Sequence, residues 1–283
     1  MSAIRHLLAV VLVLGSLCLL PGNVRAETYD TCTGFITSLP ATISTQGVWC
    51  LDRNLSTAIT SGAAIKIATN NVTIDCNDFK IGGLAAGDSS VAYGIYTSAS
   101  QNATVRHCAI RGFYFGIRLA GGAGHLVEDN RLDNNLQYGI YVTGDNNRIR
   151  RNAVYDTGGS PGSAFSYGIF ADADLIDNTV SGVFAAATTT YPRGIAASGS
   201  GNEARGNQVR GLVVAGPGNA YGIYASGSGV TLADNRISAD AVLTTSSGIQ
   251  GYGANTFCTG NTVANFATAY YSCEHNLDNL PAP

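Results

Sequence analysis

The chain of 283 residues is long enough for one sizeable domain or two small ones, and its formal net charge of −3 speaks against nucleic acid or an anionic membrane as partner. With 35 glycines, one methionine and only 12% charged residues, the composition excludes a bundle of helices rich in Glu, Lys and Leu. It fits many short strands joined by Gly, Asn and Ser turns.

Residues 1–26 read as a secretory signal peptide. Arg5 and His6 form a short polar start, residues 7–20 an apolar run, and Val24-Arg25-Ala26 a small-residue cleavage site. Cys18 falls in the segment that is removed. The mature chain is expected to begin at Glu27 and to reach the periplasm or the cell exterior. No later stretch is long and apolar enough to span a bilayer. Six cysteines then remain: Cys32, Cys50, Cys76, Cys108, Cys258 and Cys273. An even number in an exported chain predicts disulfides, and proximity suggests Cys32–Cys50, Cys76–Cys108 and Cys258–Cys273 among about 15 possible pairings.

Residues 27–63 are irregular and read as an N-terminal cap with an early strand at Val48-Trp49-Cys50-Leu51. A solenoid needs such a cap over its open apolar end. From residue 64 to 273 one dipeptide recurs: Gly94-Ile95, Gly116-Ile117, Gly139-Ile140, Gly168-Ile169, Gly194-Ile195, Gly222-Ile223 and Gly248-Ile249, with Ala269-Tyr270 a degenerate copy. Between the copies stand Asn130, Asn152, Asn178, Asn207, Asn235 and Asn261, with Cys108 in the equivalent place one turn earlier. Both series advance by 21 to 29 residues, the range of solenoid repeats.

Three residues before the Asn marker stand Val105, Val127, Ile149, Leu175, Ala204, Leu232 and Cys258, and two after it Ile110, Leu132, Val154, Val180, Val209, Ile237 and Val263. Apolar positions alternating with polar ones around a fixed turn residue mean a short strand, not a helix. The expectation is an all-β, single-stranded right-handed parallel β-helix of about eight coils, right-handed by the preference of parallel crossovers. The asparagines are expected to form a ladder along the axis and the glycines to mark bends. The polar tail, residues 274–283, should lie loosely over the far end.

The alternation of Gly-Ile with Asp-Asn or Gly-Asn copies resembles the pectin-lyase-like superfamily and its right-handed β-helix repeat domains. The stretch from Asn71-Val72-Thr73-Ile74-Asp75-Cys76-Asn77 to Lys80-Ile81-Gly82-Gly83 is similar to the entry coil of many such proteins. These motifs are structural, so the resemblance speaks to fold more than to function.

The outward positions carry the candidates for chemistry. The residue after each Gly-Ile reads Tyr96, Arg118, Tyr141, Phe170, Ala196, Tyr224 and Gln250, and the residue before it Tyr93, Phe115, Tyr138, Tyr167 and Tyr221. Such a band can stack on sugar rings, or its rings can simply pack on one another. Segments lengthen before later copies, at residues 158–166, 185–192, 213–220 and 241–246, and are expected to wall one side of the strip. Tyr96, Tyr141, Phe170, Tyr191 and Tyr224 are the expected substrate-binding residues of a groove beside that wall.

Arg106, Glu128 and Arg150 share one outward position in consecutive turns. The resemblance implies, for polysaccharide lyases of this architecture, a Lys or Arg base beside a carboxylate neutralised by calcium or a cation. These three are therefore the weak catalytic candidates, with calcium as a possible cofactor. An ordinary Arg stays protonated, however, and alternating charges on neighbouring strands usually form an ion ladder. The paired Asp, Gly-His-Gly and Arg-Ile-Lys of polygalacturonase-like hydrolases and the Asp-Pro-His-Asp of epimerase-like proteins are missing. Asp129 and Asp177 sit at turn positions where Asp serves the backbone, and His107, His125 and His275 are scattered. The leading expectation is an exported protein that recognises, and in one version cleaves, an extracellular or envelope polysaccharide. Its rival is a non-catalytic surface scaffold that binds another protein.

Overall fold

In a computed structural model of the chain, residues 31–281 are described; the expected signal peptide lies outside the described residues. The chain winds as a parallel β-helix of about nine turns. All strand pairings are parallel, each strand bonding to its equivalents one turn before and one turn after. Three faces result. The first carries eleven short strands, from Gly34–Phe35 to His275–Leu277. The second is built from three-residue strands such as Ala109–Arg111, Arg131–Asp133 and Ala153–Tyr155. The third carries the longer strands Tyr93–Ser98, Phe115–Ala123, Tyr138–Asp145, Phe165–Asp172, Tyr191–Ser198 and Tyr221–Ala225.

The expected inward residues fill the interior. Ile95, Ile117, Ile140, Ile169, Ile195, Ile223 and Ile249 are fully buried in one stack, and Val127, Ile149 and Leu175 in another. Because identical faces stack turn on turn, the core is one continuous apolar column and each rung's backbone is satisfied by its neighbours.

Asparagine works as expected, with one change of detail. Asn130, Asn152, Asn178, Asn207, Asn235 and Asn261 are buried, and each Nδ2 donates to the Oδ1 of the next asparagine at 2.8 to 3.0 Å. The left-handed residue of the turn is the one before the marker: His107, ahead of Cys108, and Asp129, Arg151, Asp177 and Asp234, ahead of asparagines, have φ of 50, 55, 53, 55 and 54°. The Asn itself is kept for its amide.

The repeated glycines mark close packing, not bends. A Cβ on Gly168 would lie 2.7 Å from the carbonyl oxygen of Gly194 and 2.3 Å from Val180 Cγ1. The same clash with the next rung's carbonyl recurs at Gly116, Gly139, Gly194 and Gly222.

Both ends of the helix reach further than expected, which raises the number of turns from eight to about nine. The segment assigned to a cap already pairs in the ladder: Gly47–Cys50 with Val72–Asp75, and Ala41–Ile43 with Ala63–Ile67. At the other end the tail is not loose. His275–Leu277 and Leu280–Pro281 add a last rung, and Asn279 extends the amide ladder. The disulfides Cys32–Cys50, Cys76–Cys108 and Cys258–Cys273 tie the first turns and the last one. Among the described residues no helix is long and apolar enough to cross a membrane.

Candidate functional site: the aromatic face and its polar canyon

The third face places the aromatic residues in two parallel columns. One reads Tyr93, Phe115, Tyr138, Tyr167, Arg193, Tyr221, and the other Lys66, Tyr96, Arg118, Tyr141, Phe170, Ala196, Tyr224, by direct strand register. Tyr96, Tyr141, Phe170 and Tyr224 therefore stand in one column, as expected. Tyr191 stands apart, stacked on Phe165 at 5.2 Å at the start of its strand.

The rings chiefly cover one another. Phe115 and Tyr138 stack at 4.4 Å and 4°, Tyr138 and Tyr167 at 4.8 Å and 2°, Tyr141 and Phe170 at 5.1 Å and 9°. Between columns the contacts are edge-to-face: Tyr138 with Tyr141 at 5.5 Å, Tyr167 with Phe170 at 5.6 Å. A ring stacked along the rod has its faces taken and offers its edge and hydroxyl outward. Tyr141 and Phe170 thus form part of a rigid pavement in which each has one face taken by the other, while the next rung beside Phe170 carries Ala196 in place of a ring. Burial raises the pKa of Tyr138 and Tyr167, aided at Tyr138 by its tyrosine neighbours, so both phenols stay protonated and able to donate.

On the upstream side of this face the long segments are bonded turn to turn. Tyr191 N–H donates to Ala164 O, Ala215 N–H to Thr190 Oγ1 at 2.7 Å, and Ala220 N–H to Ser246 Oγ at 2.8 Å. The fourth segment, residues 241–246, is not a loop. It lies inside the strand Arg236–Gly251, which keeps bonding across two register shifts to Thr262–Tyr271.

On the downstream side lies a canyon of about 910 Å³ that the sequence reading missed. Asp145 and Asp172, which end two strands of the third face, line it together with Asn147, Arg148, Arg150 and Asp174. Asp172 accepts from Asn202 Nδ2 at 2.8 Å, and Asp174 from Glu203 N–H at 3.2 Å. Buried His125 is at its floor. Its Nδ1 accepts from Ala103 N–H and its Nε2–H donates to Gly121 O, while burial pushes the imidazole pKa down. It is a structural, neutral histidine.

The weak catalytic candidates are committed to ion pairs. Arg106 Nε lies 2.7 Å from Asp75, and Glu128 lies 2.7 Å from Arg150 and 3.1 Å from Arg151. Arg151 also pairs with Asp129 at 2.7 Å and holds that carboxyl below its usual range. Arg106 does not join Glu128, although the two are in register. The arrangement is a charge ladder, in which Arg150 alone of the three also borders the canyon. Asp129 and Asp177 occupy left-handed turn positions separated by the Arg151 rung. His107 Nδ1 lies 3.3 Å from Asp75. Among the described residues no group of three or more His, Cys, Asp or Glu is placed to hold a metal ion. The side chain of His275 lies outside the described residues.

Compared with known families, residues 52–209 match the profile of the right-handed beta helix region. No curated protein sequence matches the chain. Among solved structures, the A-module of Azotobacter vinelandii mannuronan C-5 epimerase AlgE6 aligns at 12% identity and a TM-score of 0.44, covering 90% of this chain and 89% of that one. The catalytic domain of Agl-KA aligns at 12% identity and 0.30, covering 85% and 58%. The A-module of the epimerase AlgE4 from the same organism aligns at 11% and 0.28, covering 86% and 83%.

Proposed function

We propose that this chain, which belongs to the right-handed beta helix region family, is an exported polysaccharide-binding protein that lays its ligand along the third face. The observation that carries this reading is the pairing of a rigid row of phenol edges with a canyon of about 910 Å³ directly downstream of the same strands. Hydroxyl-rich chains need fixed donors and acceptors over a long, pre-formed surface. The phenols of Tyr138, Tyr141 and Tyr224, the carboxylates of Asp145 and Asp172 and the amide of Asn202 supply them without any folding on binding. The pavement costs little side-chain entropy, because ring stacking already fixes its rotamers.

The role is recognition in the first place. Arg106, Glu128 and Arg150 neutralise one another or their neighbours, so none is an available base. Affinity gel electrophoresis over a broad polysaccharide panel, with a reducing-end assay on the same panel in the presence of calcium, tests the reading. Retardation by one class of glycan supports it, and new reducing ends would extend it to cleavage. Absence of retardation on every glycan, together with capture of a protein partner through the long upstream segments, would replace it by the scaffold role.

A further inference from the structure

Two rungs of the pavement are not purely aromatic. Arg118 replaces the ring between Tyr96 and Tyr141 in one column, and Arg193 replaces the ring between Tyr167 and Tyr221 in the other. Each guanidinium is enclosed by four rings. That of Arg118 lies 5.3 to 5.6 Å from the centroids of Tyr93, Tyr96, Phe115 and Tyr141. That of Arg193 lies 4.1 Å from Tyr224 and 5.3 to 5.9 Å from Tyr167, Tyr221 and Phe165. The small Ala196 in the same rung leaves the room for it.

Neither arginine belongs to an ion pair among the described residues, whereas Arg106, Arg111, Arg148, Arg150 and Arg151 all do. Arg193 Nε is buried and has no hydrogen-bond partner. No Asp or Glu stands in either column from the rung of Lys66 to that of Tyr271. Lys66 adds a third cation, beside Tyr93 and Tyr96 at the rim of a cavity of about 300 Å³. The two columns thus gather three positive charges and no negative one in a protein whose net charge is −3, the carboxylates of Asp145 and Asp172 standing at the strand ends beside the canyon. Ring faces stabilise a cation without neutralising it, and they leave its N–H edge as the group that meets a ligand.

We infer that Arg118 and Arg193 are two anion-reading positions, and that the glycan bound along this face is an acidic one, carrying carboxylate or sulfate groups. The inference rests on the glycan-binding reading above and narrows it. Arg118 and Arg193 stand three rungs apart, about 14 Å along the axis at about 4.8 Å per rung, and Lys66 two rungs, about 10 Å, before Arg118. Spacings of about 10 and 14 Å suit a stiff polymer that carries acidic groups along its length. Single-stranded nucleic acid carries a phosphate on every nucleotide and binds by inserting bases against open ring faces, which here are occupied by the neighbouring rings.

The test is affinity electrophoresis and calorimetry of the whole chain against carboxylated glycans (carboxymethylcellulose, polygalacturonate, alginate), sulfated ones (dextran sulfate, chondroitin sulfate), their neutral counterparts, and oligo-dT. Binding is expected for acidic glycans only, the better arm showing whether carboxylate or sulfate is read. Arg118→Gln and Arg193→Gln should each weaken it about tenfold, as loss of a charge-assisted hydrogen bond does. Arg210→Gln, on an exposed site of the second face, should leave affinity within about twofold. Arg118→Lys and Arg193→Lys, which keep the charge, guard against misfolding and should lose about threefold, because a lysine lacks the two-pronged planar edge. Preference for a neutral glycan, unaffected by the Gln substitutions, would overturn the inference and leave the glycan reading intact. Binding to no glycan would overturn both. Equal weakening by Arg210→Gln, or tighter binding of oligo-dT, would reduce the two arginines to part of a diffuse field or assign the face to nucleic acid.

Discussion

The amide of Asn152 donates to Oδ1 of Asn178 at 3.0 Å, and the backbone N–H of Asn152 shares that same oxygen at 3.0 Å. Asn178 in turn gives its Nδ2 to Ile149 O and to Asn207. One side chain therefore closes two turns of the helix inside a fully dry turn. Asn178→Ala should leave the backbone N–H of Asn152 without its acceptor and the carbonyl of Ile149 without its amide donor, while the Asn152 amide keeps only Val127 O and Arg150 O, a cost of about 1–3 kcal/mol. Urea unfolding of the variant checks this; a midpoint equal to that of the parent would mean that solvent or a relaxed turn satisfies these groups.

Gly168→Ala is expected to be as disruptive as a change of one methyl group allows. The new Cβ would meet Val180 Cγ1 and the carbonyl of Gly194, neither of which can move without shifting a rung. A loss of about 1–3 kcal/mol follows from overpacking. The exposed Gly162, whose Cβ would meet nothing, is the control for crowding, although its φ of 71° leaves it a backbone cost. Thermal unfolding of the two variants separates crowding from backbone strain.

The interior was legible because its code repeats. Ile140, Ile149 and Val154 each recur at fixed offsets from a marker, so period and polarity alone assigned them inward. The column membership of Tyr141 and Phe170 was legible for the same reason. Their stacking was not, since it depends on rotamers that only the neighbouring rung decides. The canyon was hidden by a change of register: Asp145 follows Ile140 by five residues but Asp172 follows Ile169 by three. The extra residues at Gly144 break the period that would have aligned them. Arg118 and Arg193 were visible only as interruptions of an aromatic series. What marks them is enclosure by four rings each with no carboxylate partner, a property of three dimensions.

Reduction of Cys258–Cys273 should loosen the last turns first. The bridge closes a short loop of sequence separation 15 and joins the strand Phe257–Thr259 to the segment just before the terminal rung. Loss of such a cross-link costs about 3 kcal/mol in the chain-entropy account. The Cys258→Ala/Cys273→Ala variant should show faster amide exchange over residues 257–281 than over the Ile140 rung. Uniform acceleration along the rod would show instead that the helix unfolds as a single cooperative unit.

The phenols of Tyr138 and Tyr167 make stability depend on alkaline pH. Burial raises their pKa in the folded protein above the ordinary value of 10.0, and Arg193 opposes this at both without prevailing. Below pH 10 both states hold these protons and stability is independent of them. As pH climbs past the unfolded value, the unfolded chain loses its phenolic protons while the folded one keeps them, so stability falls until the folded values are reached. Denaturant midpoints should therefore stay level with respect to these groups from pH 7 to about 9.5 and drop above about 10. Tyr138→Phe keeps the stacked ring between Phe115 and Tyr167 and removes the ionising group, so its curve should fall less steeply over the same range. If parent and variant decline in parallel, the alkaline loss arises elsewhere.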